Sequence, residues 1–162
     1  MKKFSIKAHL LAGVSDTIAK VSPQSVCVLD SADPVNASRM VQNIIKDCEA
    51  ANATFLTACK EISDRKMAVY NSLKAEADAE GNGKSQEEIN KINAMKSAVL
   101  RKETDKIQAE STSQPEEMVE VQLSDEKQIA LAKLMRLAVG EWLNSALYVE
   151  AADAIDSAVE VV

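Results

Sequence analysis

At 162 residues with 46% apolar side chains, the chain is long enough to bury a core, as one domain or as a small domain with a projecting arm. Aromatics supply only 3%, and there are only three prolines and four glycines, so an aliphatic core and a mainly helical fold are expected. The net charge of −6 is uneven: residues 111–162 hold three basic and ten acidic side chains, a balance that repels phosphate backbones and disfavours nucleic acid as a partner there.

Three cysteines, an odd number, argue against a disulfide framework and for a reducing, cytoplasmic setting. The N-terminal run is interrupted by Lys7 and His9, unlike a signal peptide. The most apolar stretch, 129–149, carries Lys133, Arg136 and Glu141, each costly in a bilayer, so no membrane partner is expected.

Residues 3–10 alternate, with Phe4, Ile6, Ala8 and Leu10 against Ser5, Lys7 and His9, the period of a half-buried strand. Gly13 is expected to break it. Val14, Ile18 and Val21 then predict a short helix that Pro23 ends. Ser25-Val26-Cys27-Val28-Leu29 reads as a second strand. Asp33-Pro34 opens a long helix, with Asp33 as its cap and Pro34 at its first position. The pattern runs to about residue 79, roughly 70 Å, with a bend expected near 63–66. Gly81-Asn82-Gly83-Lys84 breaks it. Ser85 and Glu88 form a capping box for a second helix, with Ile89, Ile92, Met95, Val99 and Ile107 as its apolar stripe. So short a break predicts an antiparallel hairpin.

After the polar connector 111–117, Val119, Val121 and Leu123 alternate as a third strand. Ser124 caps a helix that is apolar around most of its circumference, from Ile129 to Leu143. A last helix from about Ser145 turns Leu147, Ala151, Ile155, Ala158 and Val162 inward. The expected fold is α+β and mainly α: a long antiparallel helical hairpin, 34–114, inserted into a small three-stranded sheet packed by C-terminal helices, with 1–33 and 115–162 as the core domain.

No residue pattern specifies a reaction. His9 is the only histidine and has no clustered partners, so it reads as a surface side chain. Cys27 lacks an orienting third group, and no Cys-x-x-Cys spacing marks a metal site. Gly83-Lys84-Ser85 has Asp78 where a phosphate-binding loop needs its first glycine. Neither catalysis, a cofactor nor a metal is therefore expected.

The strongest functional feature is an apolar seam at spacings of three and four: Val41, Ile44, Cys48, Ala51, Phe55, Ala58 and Ile62. Val41, Ile44, Cys48, Ala51, Phe55 and Ile62 are its candidate partner-binding residues. The sequence thus predicts a non-catalytic assembly or adaptor protein that acts on protein partners, a homo-oligomer foremost, as a component of a larger particle, a virion among the options. A second expectation is an inhibitor that grips a basic protein surface through Glu150, Asp153, Asp156 and Glu160.

Overall fold

The computed structural model describes residues 1–21, 26, 29–30, 32–111, 114–141 and 146–158. Among them run two strands and six helices: β1 (Lys2–Lys7), α1 (Ala8–Ala19), α2 (Pro34–Ala51), α3 (Ala53–Gly81), α4 (Gln86–Ala109), β2 (Met118–Leu123), α5 (Asp125–Glu141) and α6 (Ala146–Ser157). The chain divides into two compact units, Met1–Leu56 with Gln114–Val162, and Thr57–Ser113.

In the first unit β1 and β2 pair antiparallel, Phe4 opposite Val121 and Ile6 opposite Val119. Alternation sorts their side chains. Phe4, Ile6, Val121 and Leu123 are buried, while Lys3 reaches Glu120 at 2.8 Å on the wet face. Helices α1, α2 and α5 each lie against β2, and α6 lies against β1 and α5. Leu11, Ile44, Leu131, Leu134, Met135 and Ile155 fill the space between them with aliphatic volume.

Four expectations change. The sheet has two strands among the described residues: Val26 is helical and Leu29 lies in a turn, while Ser25, Cys27 and Val28 fall outside those described. The first strand stops at Lys7, and Gly13 lies inside α1 instead of ending a strand. Leu10, Leu11, Val14 and Ile18 recur at helical spacing and are all buried, so the helical period takes over from the alternation at Ala8. The long helix is interrupted at Asn52, and the helix that follows runs without a break through 63–66. Asn52 is buried, and its Nδ2 donates to the Ala8 carbonyl at 2.8 Å, a tertiary anchor that fixes where α2 gives way to α3. Finally, α2 belongs with the first unit, because Val41, Ile44, Ile45 and Cys48 enter that unit's core.

In the second unit, α3 and α4 are joined through Asn82–Ser85. Gly83 has φ of 74°, a conformation that favours glycine. The Ser85 hydroxyl accepts from the Glu88 N–H, and the Glu88 carboxylate accepts from the Ser85 N–H at 3.0 Å, which completes the capping box. Lys96 bridges Glu76 and Glu80, each at 2.8 Å, and Arg65 reaches Glu110 at 2.9 Å.

Candidate interaction surfaces

The seam divides between the two units. Val41, Ile44 and Cys48 are enclosed by the core of the first unit and offer nothing to a partner in this state. Burial first, then the neighbouring Asp47 and Glu49 charges, pushes the Cys48 thiol up to about 12. A thiol so placed is a small apolar side chain, not a nucleophile. Ala51 is exposed, and Phe55 and Ile62 are half-buried. Spacing of three and four identifies a stripe that something must cover, but cannot tell whether the chain itself covers it.

The second unit buries little. Among its described residues only Ala58, Ile92 and Ile107 are buried, although α3 and α4 have 29 and 24 residues. Met95 is 70% exposed and Val99 45%, four residues apart on α4, so they adjoin on one helix face. Met67 and Tyr70 are likewise exposed on α3, three residues apart. Met95 and Val99 belong to the apolar stripe expected along this helix, whereas Met67 and Tyr70 lie outside the expected seam. Their signal was the apolar spacing beyond Ile62, which is weak because Val69 and Leu73 compete for the same stretch.

The acidic stripe on α6 is partly used within the chain. Glu150 pairs with Lys7 at 3.1 Å, and Asp156 with Arg136 at 3.3 Å. Contacts first with Glu116 and then with Glu150 raise the Lys7 pKa. Asp153 is exposed, and Glu160 lies outside the described residues.

A cleft of about 510 Å³ opens beside α2 and α5, with Met40, Ala37 and Ala130 among its apolar walls and Arg39, Glu126 and Lys133 among its polar ones. Lys127 at its edge is tied to Asp47 at 2.6 Å. The charges are mixed and separate, with no nucleophile–base pair among them. His9 lies in the first turn of α1, where its Nδ1 donates to the Pro115 carbonyl at 2.6 Å, a contact that anchors the connector before β2. No group of three or more His, Cys, Asp or Glu side chains among the described residues is arranged to hold a metal ion. No helix among them is long and apolar enough to cross a membrane.

The chain matches no protein-family model, no curated protein and no solved structure. Its functional reading therefore rests on its own residues.

Proposed function

We propose that this is a non-catalytic assembly protein whose helical hairpin, α3 and α4, joins a second copy of the chain. The observation that carries the reading is the thin burial within the second unit. Long helices owe most of their stability in water to tertiary packing of an apolar face. Three buried side chains are a small core for two helices of this length, and neighbouring apolar pairs, Met95 with Val99 and Met67 with Tyr70, stay in solvent. A second hairpin laid along them would remove that surface from water and add the missing packing. Ordered self-association of this kind suits a component of a larger particle.

The test is a variant that keeps the fold and loses the face. Met95→Glu with Val99→Glu changes exposed positions only. Sedimentation equilibrium is expected to give a multiple of the chain mass for the parent protein and the single-chain mass for the variant, with unchanged far-ultraviolet circular dichroism. An assembled variant would reject this face. The acidic α6 surface is the weaker basis for partner binding, because Lys7 and Arg136 already engage Glu150 and Asp156.

A further inference from the structure

A second cleft, of about 230 Å³, lies in the first unit between the α2–α3 junction and the start of β2. Asn52, Thr54 and Phe55 line one side, and Glu117, Val119 and Glu120 the other. Asn52 is 2% exposed. Its Nδ2 is committed to the Ala8 carbonyl, which fixes the amide and leaves Oδ1 as an acceptor with no partner. Buried acceptors are rarely left in this state. The other polar side chains of the cleft are a hydroxyl and two carboxylates, and no lysine or arginine lines it. Glu120 is held by Lys3 at 2.8 Å from the outer face of the sheet, whereas Glu117 forms no ion pair among the described residues. Phe55 adds a half-buried ring.

We infer that this cleft receives an arginine side chain from a basic segment of a partner protein. A guanidinium brings several N–H donors in one plane and no acceptor, which answers a lining made of acceptors. It pairs with the Glu117 carboxylate, donates to the Asn52 amide oxygen and stacks on the Phe55 ring. Oδ1 is covered in the free chain, so entry is accompanied by a local shift of the lining side chains. The inference stands in the first unit and does not depend on association through α3 and α4.

The probe is the blocked tripeptide acetyl-Gly-Arg-Gly-amide, titrated into the full chain and followed by nuclear magnetic resonance. The same peptide with citrulline for arginine, isosteric and uncharged, is the control. Saturable shifts of the Asn52 side-chain amide and of the 117–120 backbone amides are expected for the arginine peptide, with binding about tenfold weaker for citrulline. Glu117→Gln, at an exposed position, is expected to weaken arginine binding by a similar factor. Equal responses to the two peptides, shifts confined to other residues, or arginine binding unchanged by Glu117→Gln would each overturn the assignment.

Discussion

Ile44 shows how one residue's role depends on what encloses it. It is 0% exposed and sits in the first unit's core between α2 and its neighbours. Ile44→Ala is therefore expected to cost about 2–5 kcal/mol, the lost transfer energy plus the cavity left behind. Urea unfolding would read this as a lower midpoint with an unchanged slope; a loss under about 1 kcal/mol would mean the site is not enclosed. Cys48 and Cys59 make a second contrast. Cys48 is buried with its pKa pushed up to about 12, and Cys59 is half-buried. Thiol labelling of the native chain followed by peptide mass spectrometry is expected to modify Cys59 well before Cys48, because the thiolate is the reactive form. Equal rates would show that the Cys48 region opens readily. In the sequence Cys48 belongs to the seam and Cys59 lies just beside it, and tertiary packing separates their environments.

Elements set by neighbouring residues were legible in the sequence. The Asp33 side chain accepts from the Val35 and Asn36 amides, as its place before Pro34 predicts. Ser85 and Glu88 meet as their spacing predicts. Ser85→Ala is expected to remove about 1 kcal/mol of helix stability and to raise hydrogen exchange at the first amides of α4, leaving α5 untouched. Glu88 adds a pH dependence. Its backbone bond and then its hydroxyl bond with Ser85 hold its pKa below the ordinary 4.5. A depressed carboxylate pKa gives stability that is present above the unfolded value and lost as pH falls through the folded one. Protection at the start of α4, corrected for intrinsic exchange, is thus expected to hold down to about that ordinary value and decline below it, a decline absent in Ser85→Ala.

Elements decided by distant residues were not legible. The alternation of Phe4, Ile6, Ala8 and Leu10 runs on past the end of β1, and only the burial of Leu11, Val14 and Ile18 shows where the helix begins. The break at Asn52 depends on a carbonyl 44 positions earlier, which no local window contains.

For the whole molecule, the order of elements places α1 to α4 between two strands that pair with each other. The first unit closes around its core, and the second leaves apolar pairs in water along α3 and α4. The seam found in the sequence was one stripe, but the structure encloses Val41, Ile44 and Cys48 in the first unit's core and leaves Ala51 exposed and Phe55 and Ile62 half-buried. The candidate surface was thus only partly legible, because periodicity records that a face is apolar and not what lies against it.

The most direct measurement of the central claim is the solution mass of the unmodified chain, by light scattering behind size exclusion, across a hundredfold range of concentration. Self-association through α3 and α4 predicts a multiple of the 17.5 kDa chain mass that persists, or rises with concentration by mass action. A mass of one chain throughout would contradict it.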